Sequence, residues 1–129
     1  MKTCVVTNNA PAAIGPYSQA VKAGGFLYIS GQLPINPETG EMPLDITGQA
    51  RQALANVMAI AAQAECAAED IVKINVYLTD ITDFSEVNKV YAEFFTADCP
   101  ARAAFAVAAL PKAASIEIEA VAYCGLQHE

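Results

Sequence analysis

Ala101-Arg102-Ala103-Ala104-Phe105-Ala106-Val107-Ala108-Ala109 and, after Leu110-Pro111-Lys112, Ile116-Glu117-Ile118-Glu119-Ala120-Val121-Ala122-Tyr123 read as two strands that are almost wholly apolar. Arg102 and the two glutamates are the charges that interrupt them. A charge in a strand of small apolar residues is costly unless it is paired, solvated or used. The chain has only 7 Lys and Arg in all, so an arginine placed there calls for a reason.

Outward from these strands the period of the apolar residues changes twice. From Thr47 to about Glu65, Ala50, Leu54, Val57, Met58, Ala61 and Ala64 recur on one helical face, with Thr47 as N-cap. Ile71 to Thr79 alternates: Val72, Ile74, Val76 and Leu78 point one way, Lys73, Asn75 and Tyr77 the other. Asp83-x-x-Glu86 has the form of a capping box, and Val87, Val90, Tyr91, Phe94 and Phe95 stripe a second helix. Thr3–Thr7 is a short β-branched run, and Ser18–Lys22 and Phe26–Ser30 flank Gly24-Gly25 as a hairpin. Gly31 to Asp45, with three prolines and two glycines, is a long structured loop.

The order is βββαβαββ, a single α+β domain over 1–129 with a mixed sheet and two helices on one face. The last two strands are expected to pair as a hairpin around Leu110 to Ser115, with Ala108 near Glu117 and Arg102 near Tyr123. In that register Arg102 and Glu117 share the face away from the helices but stand roughly 20 Å apart. They meet only if a second protomer presents its Glu117 to this Arg102. The same face carries Tyr77, Val121 and Tyr123, too apolar a set for open water, which predicts self-association.

Composition points the same way. The hydrophobic fraction is 54% and mean hydropathy is +0.30, more apolar surface than one small protomer readily covers. Formal net charge is -7, from 7 Lys and Arg against 14 Asp and Glu. No basic stripe exists to track a phosphate backbone, so nucleic acid is an unlikely partner, whereas a small anion held by one arginine fits. No apolar run is long enough to span a bilayer, and Met1-Lys2-Thr3-Cys4 lacks the apolar core of a signal peptide, so a cytoplasmic location is expected. Cys4, Cys66, Cys99 and Cys124 are widely spaced and include no C-x-x-C. They are expected to be small buried residues or free thiols rather than a zinc site or a disulfide framework, and His128 to be solvated near the chain end.

Several runs, taken in order, resemble the RidA group of the Rid (YjgF-type) family. They are Asn9-Ala10-Pro11-Ala12-Ala13-Ile14-Gly15-Pro16-Tyr17-Ser18-Gln19-Ala20, Ser30-Gly31-Gln32-Leu33-Pro34, Pro37-x-x-Gly40 and Gln49-Ala50-Arg51-Gln52-Ala53-Leu54-x-Asn56-Val57. Tyr91-x-x-Phe94-Phe95, Pro100-Ala101-Arg102, Leu110-Pro111 and Ile116-Glu117-Ile118-Glu119-Ala120 complete the set. The resemblance implies a homotrimer of chorismate-mutase-like protomers with clefts between subunits. It also implies hydrolysis of reactive 2-imino and enamine acids, such as 2-iminobutanoate and 2-iminopropanoate, to 2-oxo acids and ammonia. It assigns Arg102 to the substrate carboxylate, Glu117 to the reacting water, and Tyr17, Ser30 and Gly31 to the lining of the cleft, with Asn88 beside it. No cofactor or metal is implied. Where many members carry Arg-Ser-Cys, this chain has Arg102-Ala103-Ala104, and Ala106 and Ala109 replace a common glutamate and arginine. The pocket is therefore expected to be less polar, without a thiol at position 104.

The chemistry suits those residues. A guanidinium fork grips a planar carboxylate bidentately. An iminium carbon is already electrophilic and needs only orientation, a water and a group that moves protons. Plainer roles exist for each residue: Arg102 and Glu117 as an intersubunit salt bridge, Tyr17 as a packed loop aromatic, Ser30-Gly31 as a strand end. Two other functions compete, a non-catalytic trimer that binds 2-oxo acids or similar carboxylates, and an endoribonuclease or translation inhibitor.

Overall fold

Ile71–Leu78 forms the strand around which the sheet is organised in a computed structural model that describes residues 1–124. In chain order the elements are β1 (Thr3–Val5), β2 (Ala20–Ala23), β3 (Phe26–Gln32), α1 (Ile46–Gln63), β4 (Ile71–Leu78), α2 (Phe84–Phe94), β5 (Ala101–Ala106) and β6 (Ile116–Tyr123). They build one six-stranded sheet in the order β1-β2-β3-β6-β4-β5. The order βββαβαββ and the mixed α+β class are as read from the sequence.

The expected hairpin between the last two strands does not form. β4 lies between them, antiparallel to β6 and parallel to β5. The cause is the crossover through α2: a βαβ unit returns its second strand parallel to the first and beside it. The chain must then pass β4 before β6 can pair.

This order moves Arg102. It stands opposite Ile74, whose side chain is fully buried under the helices, whereas Glu117 stands opposite Tyr77 on the other face. Arg102 and Glu117 therefore lie on opposite faces of the sheet, not on one. Val72 also departs from the alternation. The register shifts between Ile71 and Lys73, so Ile71 faces the core and Val72, in the bulge, is exposed.

The core lies between sheet and helices. Leu54, Val57 and Ile60 of α1 and Val87 and Val90 of α2 meet Leu27, Ile74, Val76, Leu78, Ile116 and Ile118. An Arg51–Glu93 pair at 2.9 Å ties the helices together at the surface. Asp45, not Thr47, caps α1, its carboxylate accepting from the Gly48 N–H at 3.3 Å. Asp83 makes no capping bond. Asp80, three residues earlier, accepts from the Thr82 N–H at 3.0 Å and caps the short turn that leads into α2.

Cys66 and Cys124 form a disulfide, contrary to the free-thiol expectation, while Cys4 and Cys99 are free and exposed. The end of α1 accounts for the pairing. Glu65 takes a left-handed conformation (φ 62°), and the Cys66 N–H donates back to Ala61 O at 2.9 Å. That turn carries Cys66 to the end of β6, with 5.8 Å between the two Cα atoms. No helix among the described residues is long and apolar enough to cross a membrane. His128 lies outside the described residues.

Candidate active site

The site begins with an irregularity in β3. Ile29 pairs with Ala120 and Gln32 with Ile118, so β3 spends one residue more than β6 over the same interval. The bulge falls at Ser30-Gly31 and opens the sheet where Glu117 emerges. The Glu117 carboxyl fills the space a side chain on Gly31 would need: a Cβ there would lie 2.9 Å from Glu117 Cδ. Only glycine admits that approach.

Above the bulge is a cavity of about 860 Å³ lined by Tyr17, Ser30, Gly31, Lys112, Glu117 and Glu119, with an apolar wall that includes Ile14, Leu33 and Ile35. Buried amides hold its loops. The Gln19 amide donates to Thr7 O at 3.0 Å and Pro11 O at 2.8 Å, and its oxygen accepts from the Thr7 N–H at 2.7 Å. Asn56 of α1 donates to Leu33 O and Ile35 O, both at 3.0 Å. Tyr17 follows a tight turn in which its N–H donates to Gly15 O at 2.9 Å, with Gly15 at φ 121°. The Ser30 hydroxyl donates to Ser18 O at 2.6 Å, which leaves its lone pairs to accept.

Glu117 is half-buried, and its carboxyl is raised above the usual range, first by burial and then by the charge of Glu119. Glu119 accepts from Tyr77 Oη at 2.5 Å and from Asn75 Nδ2 at 2.9 Å. The bond to Glu119, with burial and the charge of that carboxylate, pushes the Tyr77 phenol up to about 12. A carboxyl that holds its proton more firmly than usual, facing a cavity beside hydroxyl groups, is equipped to pass protons to and from a bound molecule.

Arg102 is not among the residues lining this cavity. It sits on β5, the edge strand, where its guanidinium donates to Asn88 Oδ1 at 2.8 Å and lies over the Tyr91 and Phe84 rings, 4.7 and 5.1 Å from their centroids. Asn88 thus meets Arg102 rather than the cavity. Ala104, where a thiol is common in the resembling family, packs against the core. Within one chain, then, Glu117, Tyr17, Ser30 and Gly31 come together, while Arg102 and Asn88 form a second, exposed cluster at the sheet edge. The sequence singles out none of Gln19, Asn56 and Lys112 as a functional residue. Gln19 and Asn56 bond to main-chain groups of distant loops, which side-chain period does not report.

Comparison with known proteins gives these residues a setting. The family model described as Endoribonuclease L-PSP matches residues 7–124. A RutC family protein of Pyrococcus horikoshii is 53% identical over 95% of this chain and 98% of its own. The 2-iminobutanoate/2-iminopropanoate deaminase of Escherichia coli is 51% identical with the same coverage. The crystal structure of E. coli TdcF with bound serine superimposes with a TM-score of 0.91 at 45% identity, covering 94% of this chain and 98% of that one.

Proposed function

This chain belongs to the YjgF/RidA family of reactive-intermediate deaminases, matched by the Endoribonuclease L-PSP model, and from that premise we propose that it hydrolyses 2-imino acids to 2-oxo acids and ammonia. The observation that carries the proposal is the half-buried Glu117 carboxyl, seated over Gly31 and facing a cavity with Tyr17 and Ser30.

In this reading the substrate carboxylate is gripped by Arg102 of a second protomer, in the arrangement that the family resemblance implies for a homotrimer. The free face of the sheet supports such an assembly. Phe26, Tyr28, Phe105 and Tyr123 are 37 to 51% exposed there, an aromatic patch that a neighbouring subunit would cover. Glu117 takes a proton from a water as its oxygen bonds to the imine carbon. The C–N π electrons move to nitrogen. Glu117 then returns that proton to nitrogen, accepts the hydroxyl proton of the tetrahedral intermediate as the carbonyl forms and the C–N bond breaks, and passes this second proton to the departing nitrogen, which leaves as ammonia. The reaction consumes one water and needs no oxidant. A relative was solved with bound serine, a small amino acid, which supports a small amino-acid-derived substrate. The family model's endoribonuclease name suits this site poorly: the net charge is -7 and the cavity holds two carboxylates.

The test is a coupled assay in which a threonine dehydratase releases 2-iminobutanoate and formation of 2-oxobutanoate is followed. Wild-type protein is expected to accelerate the release, and Arg102→Ala to abolish that acceleration while the oligomer persists. Full activity in Arg102→Ala, or ligand binding without turnover of any imine, overturns the proposal.

A further inference from the structure

Glu119 shares a strand face with Glu117, about 7 Å further along β6 at strand rise. Among the described residues it is the one common to the active-site cavity and a second cavity, of about 250 Å³, that it shares with Tyr28, Lys73 and Asn75. Its carboxylate is immobilised from the neighbouring strand: Tyr77 and Asn75, two residues apart on β4, both donate to the same oxygen. Two donors converging from one strand leave that oxygen a single geometry.

We infer that Glu119 is a positioning residue for the deaminase reaction: clamped by Tyr77 and Asn75, it fixes a negative charge beside Glu117 and so makes Glu117 the proton-carrying carboxyl of the pair. The inference rests on the functional reading above. The groups around Glu117 are consistent with it. Tyr17 approaches from the N-terminal loop, Lys112 from the turn before β6, and Tyr77 stands opposite on β4. β3 contributes Gly31 and Gln32, neither of which titrates. Burial and then Glu119 govern Glu117, and both favour its protonated form. An Arg102 from a second protomer pulls the other way, and a bound substrate carboxylate cancels that pull. Two carboxyls at one site thereby take different roles, one held in place by its strand partners, one exchanging a proton.

The experiment follows the Glu117 side-chain carboxyl by carbon-13 NMR across pH in the full-length protein, alongside the pH profile of kcat/KM for 2-iminobutanoate. In Glu119→Gln the Glu117 midpoint and the acid limb of the profile are both expected to move to lower pH. Tyr77→Phe, which unclamps Glu119 toward solvent, is expected to move them the same way but less. Glu119→Asp, which keeps the charge, is expected to restore most of the wild-type midpoint. An unchanged Glu117 midpoint in Glu119→Gln overturns the inference. A midpoint that moves in a protein that hydrolyses no imine leaves the coupling standing and overturns the functional reading instead.

Discussion

Gly31 lacks a side chain where Glu117 lies: a Cβ at residue 31 would stand 2.9 Å from Glu117 Cδ and 3.2 Å from its Cγ. The glycine is thus a spatial requirement of the carboxyl rather than of the backbone. Gly31→Ala is expected to swing the Glu117 side chain away while leaving the fold intact, because the displaced atoms are the end of a flexible side chain. A shift near 1 Å at a reacting group costs about 100-fold in rate. The expected outcome is a loss of kcat/KM of about that size with Tm within a few degrees of wild type. A Gly31→Ala protein of wild-type activity would remove Glu117 from the chemistry.

Glu117 should weaken the fold at neutral pH. Its folded-state carboxyl sits above its unfolded value, through burial first and Glu119 second. A carboxyl raised in this way favours folding while it is protonated, below the unfolded value, and that contribution is lost as pH rises through the folded value. Glu117→Gln removes the penalty. Its Tm is expected to exceed wild type at pH 7 and to converge on it as pH falls below the ordinary glutamate range, while activity is lost at every pH. Thermal melts across pH check this.

Asn88 orients Arg102 by accepting one of its guanidinium N–H bonds at 2.8 Å, while Tyr91 and Phe84 form the surface it lies on. Asn88→Ala is expected to raise KM for 2-iminobutanoate about tenfold, the worth of one charge-assisted hydrogen bond, with a smaller change in kcat. Steady-state kinetics in the dehydratase-coupled assay separate the two. An unchanged KM would mean that the stacked rings alone hold the arginine.

Much of this was legible in the sequence, for stated reasons. Alternation at Ile74, Val76 and Leu78 and the stripe at Val87, Val90 and Tyr91 report burial directly, so element order and core faces follow. Pairing between distant segments does not follow. Residues 101–106 and 116–123 are close in sequence, which suggests a hairpin, but the crossover through α2 places β4 between them and sends Arg102 to the helix side. The Val72 bulge and the Gln19 and Asn56 amides escape for a related reason: their partners are another strand or main-chain carbonyls, invisible to side-chain period. The Cys66–Cys124 pairing depends on the left-handed turn at Glu65, which no cysteine spacing encodes. The Ser30-Gly31 pair follows from family resemblance, and the structure gives the glycine its physical reason in Glu117.

The Cys66–Cys124 disulfide closes a loop across a sequence separation of 58. In the chain-entropy account such a cross-link stabilises by about 4 kcal/mol. Reduction, or Cys66→Ser with Cys124→Ser, is expected to lower Tm by about 15 °C and to leave kcat/KM unchanged, since neither cysteine lines the active-site cavity. Melts with and without reductant check this, with intact mass confirming the thiol state. Equal Tm values would mean that the bond constrains nothing the unfolded chain would otherwise explore.

Phe105 tests the assembly from outside the Glu117 and Arg102 clusters, and its aromatic neighbour near the site is Tyr77. It projects from the edge strand on the face away from the helices, 49% exposed, with its ring 5.3 Å from that of Tyr77. Burying a side chain of this kind contributes about 2 kcal/mol, and a carboxylate in its place would be buried without a partner at the proposed subunit contact. Phe105→Glu is expected to yield a folded monomer by light scattering, with native circular dichroism and no deaminase activity, because Arg102 and Glu117 stand on opposite faces of one chain and need a second protomer to meet. Mixing Arg102→Ala with Glu117→Gln protein supplies the complementary result. After subunit exchange, interfaces that pair an intact Arg102 with an intact Glu117 should regain a fraction of wild-type turnover that neither variant has alone. A monomeric Phe105→Glu protein with full activity would show that one chain suffices and that Arg102 acts elsewhere.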